Sequence, residues 1–330
     1  MRATFAPEGS ALDRLGFDEA ASPPWIMVPA DPAKTRIVIL KDGAGLSLQL
    51  ANSAKTGIVT FTEQPATGAR RILLAGTAPG TVLLEARDST GAAQATLEIT
   101  VKAQKKLNTF IHFVFDKKGN SSIKGLTEAL QMMNLANKLL SQANVVMVRR
   151  DSGGFTLPFD MERGLPIPVA FNMPSGWIQT PGPWPCISKD PPGPQGCLPP
   201  ATQGSLSRED FNGIRINNIM ANILSHADPR SDYNIFFVRR LDDPGVAPAQ
   251  AFTLTNPTTG LVINSCLLPD ISNGQSLAHE VGHFLLRGAT FLSRTGHTTG
   301  HDDLMTEVPG PFHVKIPKQS ANFMNPSGVP

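Results

Sequence analysis

The residues with the clearest capacity for chemistry are two histidines and a glutamate in SLAHEVGHFLL (276–286). His279 and His283 are four positions apart, so on a helix both imidazoles lie on one face and can reach a single cation. Glu280 is placed to act on a water molecule beside that cation without binding the metal itself. In a chain with seven histidines, the chance expectation of H-E-x-x-H is only about 0.005. The pattern predicts a zinc site.

A catalytic zinc site needs a third protein ligand, because such sites take three and leave the fourth position to water. Four of the seven histidines lie between 279 and 301, which makes His297 and His301 the nearest candidates. The other possible ligands that follow are Asp302, Asp303 and Glu307.

A strand and a helix must position these residues. GLVINSCLL (260–268) predicts a strand, and a helix should begin near Ser272 or Gln275. Apolar residues fill the rest of this helix and predict that it is buried. They include Leu277, Val281 and Phe284.

A strand–helix–strand pattern lies upstream. TFIHFVF (109–115) and NVVMV (144–148) are typical of strands, and a helix is predicted between Ser122 and Asn144. This order implies a parallel pair with a right-handed crossover. The predicted apolar stripe of the helix consists of Leu126, Leu130, Met133, Asn137 and Leu140, widened by Met132, Leu135 and Leu139. NIFFV (234–238) predicts a further strand.

Residues 33–103 have the pattern of short strands separated by Gly-containing turns. Alternation is clearest in ATLEITV (95–101), where one face carries Leu97, Ile99 and Val101 and the other carries Glu98 and Thr100. The spacing of the turns is close to that of a small β-sandwich.

A Pro- and Gly-rich stretch at 151–204 predicts a long irregular loop, which is functional or disordered. Cys186 and Cys197 lie in this loop, whereas Cys266 lies in an apolar run. Three cysteines cannot form a disulfide framework, so a Cys186–Cys197 bridge and free thiols both stay open.

Charge and hydropathy exclude several partners. Lys+Arg minus Asp+Glu is 29 − 27 = +2, which gives no basic footprint for nucleic acid or for an anionic membrane. No apolar stretch is long enough to cross a bilayer. The first thirty residues lack the apolar run of a signal peptide. We expect a secreted, extracellular protein that is exported without a visible signal peptide, with the cytoplasm as the alternative.

The histidine region resembles the metzincin family of zinc peptidases, whose pattern H-E-x-x-H-x-x-G-x-x-H precedes a turn that contains Met. Counted strictly, the third histidine would fall on Ala289, so the strict pattern fails. The sequence HTTGHDDLM (297–305) places Leu-Met at the distance seen after the third ligand in matrixin-like members. The resemblance therefore implies His297 as the third zinc ligand. It leaves His301 as a hydrogen-bonding neighbour of the site or an alternative ligand.

The same resemblance implies an α+β catalytic domain, with a twisted mixed sheet and an active-site helix. Met305 would lie in the Met-turn, packing beneath the metal without binding it. IPKQSANFMNPS (316–327) resembles the helix that closes such a domain. Some members carry a tyrosine just after the Met-turn, but here the residues are Thr306 and Glu307, and the single tyrosine is Tyr233.

GTVLLEARDSTGAAQATLEITV (80–101) resembles the final hairpin of bacterial immunoglobulin-like domains, which are all-β sandwiches. We therefore predict an N-terminal extension at 1–30 and an immunoglobulin-like domain at 31–105. The zinc metallopeptidase domain would occupy 106–330 and include the loop at 151–204.

Together these features predict a hydrolase, a zinc metalloendopeptidase in which Glu280 is the general base for a metal-activated water. The metal ligands would be His279, His283 and His297. A protein or peptide substrate would pair with a sheet edge, for which AQAFTLT (249–255) is a candidate. The alternative is an adhesive or binding protein whose immunoglobulin-like domain docks a substrate or a surface, with a non-catalytic structural zinc domain.

Overall fold

The computed structural model describes residues 3–9, 16–51, 57–66, 69–122, 124–157, 178–179, 223, 226–239, 249–255, 262–292, 297–300, 302–306 and 313–329. Strands predominate among them. The chain divides into two compact units. The first comprises Met1–Lys106, Asn137–Val146 and Val314–Pro330, and the second comprises Leu107–Ala136 and Met147–His313.

The first unit contains two sheets with a common core. Its strands are β1 (Thr4–Pro7), β2 (Phe17–Asp18), β3 (Trp25–Pro29), β4 (Arg36–Lys41), β5 (Ser47–Ala51), β6 (Val59–Ala66), β7 (Ala69–Gly76), β8 (Gly80–Arg87) and β9 (Ala93–Lys102). One sheet has the order β1-β4-β7-β6, and the other has the order β2-β3-β9-β8-β5. Buried side chains from both sheets form one cluster, so the sheets pack face to face.

The predicted alternation in β9 is confirmed. Leu97, Ile99 and Val101 are completely buried in the shared core, while Glu98 is only partly buried. Thr100 on the other face is buried as well. Its hydroxyl is satisfied there, because it accepts a hydrogen bond from the Trp25 indole at 2.9 Å. A buried polar group with a partner avoids most of its desolvation cost.

The observed first unit is larger than the predicted range 31–105. Residues of the predicted N-terminal extension form β1, β2 and β3, and β3 pairs in parallel with β9, with Trp25 opposite Glu98. All five residues of β3 are buried. A strand that is buried on both faces shows no alternation, which is why its pattern did not predict a strand.

The end of the chain also belongs to the first unit. A short helix at Lys318–Met324 (α3, numbered after the two helices below) is followed by Asn325, whose buried side-chain amide donates to the Ala103 and Ala143 carbonyls, at 2.9 Å each. The Lys102 ammonium donates to the Asn325 carbonyl at 2.6 Å. Residues 314–330, predicted as part of the peptidase domain, are thus bound to β9 and its neighbours.

The second unit is built on a six-stranded mixed sheet with the order β11-β10-β13-β15-β14-β12. These strands are β10 (Lys105–Phe115), β11 (Val145–Thr156), β12 (Ile178–Gln179), β13 (Tyr233–Phe237), β14 (Gln250–Thr255) and β15 (Val262–Leu268). β13 is parallel to β10 and β15, whereas β14 is antiparallel to both β15 and β12. β11 continues to Thr156, into the stretch predicted as loop, and most of that stretch lies outside the described residues.

Helix α1 (Leu126–Leu140) is confirmed, but its buried face differs from the predicted stripe. Leu126 and Leu135 are exposed, at 37% and 42%. The buried face instead consists of Ala129, Met132, Met133, Ala136, Leu139 and Leu140. Two small alanines allow close packing on this face, which a search for large apolar residues overlooks. Among the described residues, no helix has the length and apolarity needed to cross a membrane.

Candidate metal centre

The predicted helix that carries the histidines is confirmed as α2 (Gly274–Leu285). Asn273 caps it, since its side-chain oxygen accepts the Gln275 and Ser276 backbone N–H groups at 2.9 and 3.0 Å. The Ser276 hydroxyl in turn accepts the Asn273 N–H at 3.4 Å, which completes a capping box. Ten of the twelve helical residues are buried, so the helix is held rigidly in the second unit.

Three imidazole rings come together beside this helix. His279 and His283, both buried, lie one turn apart, and half-buried His297 comes from the segment after the helix. One nitrogen from each ring lies within 4.8 Å of the others. The Nε2 atoms of His279 and His283 are 3.1 Å apart. Two nitrogens bound tetrahedrally to one zinc ion at about 2.0–2.1 Å would be about 3.4 Å apart, so the spacing fits a common cation.

The turn at Leu304–Thr306 positions two of these histidines. The His279 Nδ1 donates to the Leu304 carbonyl at 2.7 Å. Because a carbonyl can only accept, Nδ1 carries the proton and the neutral ring keeps its Nε2 lone pair. The Met305 carbonyl accepts the Thr298 N–H at 2.8 Å, and Thr298 also bridges to Thr306. The turn therefore holds the segment next to His297 while it orients His279.

Met305 lies against the helix between the two histidines of its motif. A Cβ on Gly282 would lie 2.2 Å from the Met305 sulfur, so only glycine leaves room for this side chain. Met305 is buried, at 2% exposure. Its position agrees with the packing role expected of the Met-turn residue.

Burial keeps the two helical histidines neutral. It lowers the pKa of His279 to about 4, although the hydrogen bond to Leu304 acts in the opposite direction. The pKa of His283 also falls well below its ordinary value, because of burial and the neighbouring imidazoles. Neutral imidazole is the form that binds a metal ion, so these rings need not lose a proton at neutral pH.

Glu280 lies on the same helix with its carboxyl group completely enclosed. Burial raises the pKa of Glu280 to about 8, while a hydrogen bond from the Ala251 N–H lowers it. Its Oε2 atom is buried and accepts no hydrogen bond from the described residues. A buried acceptor without a hydrogen-bond partner lowers the stability of the folded state by about 1–3 kcal/mol. The Tyr233 hydroxyl donates to the Glu280 main-chain carbonyl at 3.1 Å, so the single tyrosine supports this helix from within the core.

Of the other candidate ligands, two aspartates are not part of the histidine cluster, and four residues lie outside the part of the chain that the structure describes. His301, Glu307, Cys186 and Cys197 lie outside the described residues. Asp302 is exposed, and Asp303 packs its carboxylate against Gly300. Cys266 is a buried free thiol, and burial raises its pKa well above the ordinary value.

The groups that sequence reasoning missed are main-chain atoms and one glycine. The Leu304 carbonyl and the Ala251 N–H orient His279 and Glu280. Every residue has a backbone carbonyl, and nearly every residue has an N–H, so the sequence does not show which of them will take this role. Gly282 did offer a signal. A glycine inside an otherwise apolar helix costs stability, so it indicates a close approach.

Comparisons with known proteins leave the family open. No protein-family model matches the chain, and no curated protein matches it. Among solved structures, a chimeric titin Z1Z2 carrying a decorin peptide is 14% identical with a TM-score of 0.20, over 32% of this chain and 97% of that one. The titin Z1Z2 domains in complex with telethonin are 14% identical with a TM-score of 0.19, over 34% of this chain and 58% of that one. These TM-scores are too low for either likeness to establish a fold.

Proposed function

We propose that this chain is a zinc-dependent endopeptidase of metzincin type with an N-terminal immunoglobulin-like domain. The observation that carries the proposal is the cluster of His279, His283 and His297, two of them on the helix that also bears the buried Glu280. The two packed sheets of the first unit support the immunoglobulin-like assignment. Whether that domain docks a substrate or a surface stays a prediction.

The donor set suits zinc. Three imidazole nitrogens with close mutual spacing match the histidine-rich sites that zinc prefers, and carboxylate-rich sites suit magnesium or calcium better. A structural zinc site is closed by four protein ligands, whereas the described residues provide three. Three histidine ligands would leave the fourth position of a tetrahedral zinc ion to water, as the proposed catalytic site needs.

When bound, zinc polarises a substrate carbonyl and lowers the pKa of a coordinated water to about 7. The protein's part is to supply a base at a fixed position. The positive charge of a bound zinc ion would lower the raised pKa of Glu280, so the ionised Oε2 could accept a proton from the attacking water while the Ala251 N–H holds the other oxygen. Glu280 then returns that proton to the amine that leaves. Burial of His279, Glu280 and His283 lowers the local dielectric constant, which strengthens these electrostatic interactions.

The sheet provides a way to bind an extended peptide. β14 is antiparallel to β15 and contains Ala251, whose N–H reaches the Glu280 carboxylate. A peptide that added to the outer edge of β14 would therefore pass beside the catalytic base. This edge is the segment 249–255 suggested by the sequence.

The test of the function is Glu280→Gln. We expect the variant to bind the same molar amount of zinc as the wild type and to lose cleavage of a peptide library by at least about a hundredfold, because the amide cannot accept the proton. Glu128→Gln, an exposed change on α1, is the matched control and should cleave normally. Undiminished proteolysis by zinc-loaded Glu280→Gln would refute the mechanism.

A further inference from the structure

Tyr233 joins the sheet of the second unit to the helix that carries the proposed site. It is the first residue of β13, which lies between β10 and β15, and its side chain is completely buried. Its hydroxyl donates to the Glu280 main-chain carbonyl at 3.1 Å. Its ring also lies against the ring of Phe284, with the two centroids 5.5 Å apart.

This hydrogen bond is not needed to satisfy the helix. Within α2, the carbonyl of residue 280 already accepts the N–H of residue 284, as in any α-helix. The Tyr233 hydroxyl is therefore a second donor to a carbonyl that has a partner. A buried tyrosine hydroxyl usually finds a hydrogen-bond partner, and here that partner is the helix main chain. The bond thus holds the helix at one point on the sheet.

The contacts of Tyr233 lie on one flank of the proposed metal-binding face. Successive residues of an α-helix are about 100° apart around its axis. With His279 at zero, His283 lies at about 40°, so the face that they share is centred near about 20°. Glu280 and Phe284 lie at about 100° and about 140°, both on the same side of that face.

The opposite flank of the helix is held by Met305. Met305 packs against Gly282, which lies at about 300° on the same scale. Tyr233 and Met305 therefore contact α2 on the two sides of its metal-binding face. Two such contacts fix the rotation of the helix about its own axis.

Glu280 depends on this support more than the histidines do. The Leu304 carbonyl orients His279, and a shared metal ion would hold the rings of the three histidines in place. Glu280 is not a proposed ligand, so the protein alone must set its distance from the attacking water. The direction of its side chain follows from the position of its own backbone, which the Tyr233 hydroxyl contacts directly.

We infer that Tyr233 is a positioning residue for the proposed catalytic base, because it fixes the rotation of α2 and with it the direction of Glu280. This role rests on the proposed function, in which Glu280 accepts the proton. A displacement of about 1 Å in an active site can lower the rate about a hundredfold. Because Tyr233 is completely buried, it does not contact a peptide substrate, so its loss should change kcat and not KM.

Tyr233→Phe removes the hydroxyl and keeps the ring. Its matched control is Thr109→Val, on β10 directly opposite Tyr233. Thr109 is also completely buried, and its hydroxyl donates to the main-chain carbonyl of Leu107, on its own strand, at 3.1 Å. Each variant loses one buried hydrogen bond from a hydroxyl to a carbonyl, so the two urea midpoints should fall by similar amounts. Of the two, Tyr233→Phe alone loses a hydrogen bond to α2.

We expect Tyr233→Phe to lower kcat for a peptide substrate by at least about tenfold, with KM within about twofold of the wild type. It should bind the same molar amount of zinc as the wild type. Thr109→Val should keep the wild-type kcat and KM. Equal kcat values in Tyr233→Phe and Thr109→Val would overturn the inference, and so would a loss in Tyr233→Phe that lies in KM alone.

A measurement without turnover separates this role of Tyr233 from the proposed function. Amide hydrogen exchange of the metal-free full chain, read by mass spectrometry on a peptide that contains α2, reports how firmly the helix is held. Exchange should accelerate in Tyr233→Phe and match the wild type in Thr109→Val. Faster exchange in Tyr233→Phe, in a protein whose wild type cleaves no peptide, would refute the peptidase and retain Tyr233 as the support of the helix. Cleavage by the wild type with unchanged α2 exchange in Tyr233→Phe would refute the positioning role alone.

Discussion

Gly282 and Met305 form the contact on which the geometry of the two helical histidines depends. Met305 is buried and occupies the space that a side chain at 282 would need. The same turn supplies the Leu304 carbonyl that orients His279. A change at Gly282 should therefore displace His279, one of the proposed metal ligands, without removing it.

Gly282→Ala should destabilise the protein by about 1–3 kcal/mol and weaken zinc binding, because the new methyl group overlaps the Met305 sulfur. Urea unfolding and zinc titration measure the two effects. The double variant Gly282→Ala/Met305→Ala is the control, and its loss of stability should be smaller than the sum of the single losses by at least about 0.5 kcal/mol. Additive losses would show that the two residues do not compete for one space.

His112 is a buried histidine of the second unit that is remote from the metal cluster in sequence and has a separate role. Its ring is stacked between Phe110 and Phe236, and its Nε2 hydrogen-bonds to Asn234 at 2.9 Å. Burial lowers its pKa to about 4, although the hydrogen bond to Asn234 acts in the opposite direction. The unfolded chain therefore takes up this proton first as the pH falls.

Stability from His112 is present above its ordinary pKa of about 6.5 and is lost as the pH falls from there toward 4, amounting to at most about 3 kcal/mol. His112→Phe should flatten the dependence of the unfolding free energy on pH across this window. Equal slopes in wild type and His112→Phe would refute the assignment.

The reactive side chains of the site could be predicted from the sequence, but the backbone groups that orient them could not. The H-E-x-x-H spacing alone led to His279, Glu280 and His283, because a helical period fixes which residues share a face. The structure brings His297 to the same cluster, as the resemblance implied. The groups that hold these residues in place are backbone atoms of Ala251 and Leu304, which only the folded chain brings near them.

The element that ties the chain end to the first unit is the segment after α3. The buried Asn325 amide donates hydrogen bonds to two carbonyls. One belongs to Ala103, between β9 and β10, and the other to Ala143, at the end of the turn that follows α1. Ser327 contacts the Ala103 carbonyl less closely, at 3.4 Å. The Ser327 hydroxyl also donates to the Asn325 side-chain oxygen at 2.8 Å, so Ser327 acts partly through Asn325.

Asn325→Ala should lower the free energy of unfolding of the first unit by about 1–3 kcal/mol, because the carbonyls of buried Ala143 and exposed Ala103 both lose their donor. Ser327→Ala, which removes only partly exposed contacts, should cost less than about 0.5 kcal/mol. Urea denaturation of the full chain measures both variants. Equal small effects would mean that the terminal segment does not stabilise this unit.

Elements with a regular pattern could be predicted, and those without one could not. Alternation identified β9, and the spacing of apolar residues and histidines identified α2. β3 lacks alternation because it is buried on both faces, and the packing of α1 depends on Ala129 and Ala136, which hydropathy alone ranks low. Pairing partners such as β12 on β14 are distant in sequence, so no local pattern predicts them.

For the whole molecule, the main difference from the sequence prediction is that the units are not contiguous. The first combines the N-terminal sheets with Asn137–Val146 and Val314–Pro330, whereas the sequence suggested a single boundary near residue 105. A change in composition along the chain indicates where one domain ends. It does not indicate that a later segment packs with a domain formed by earlier residues. The metal cluster lies entirely within the second unit.

The proposed function requires that three histidines hold one zinc ion and leave one coordination position open. Zinc K-edge X-ray absorption of the zinc-loaded full chain measures this most directly. We predict three nitrogen donors at about 2.0–2.1 Å with one further light donor from water, and loss of one nitrogen in His297→Ala but not in His301→Ala. A sulfur donor at about 2.3 Å, four protein ligands or an unchanged spectrum in His297→Ala would contradict the claim.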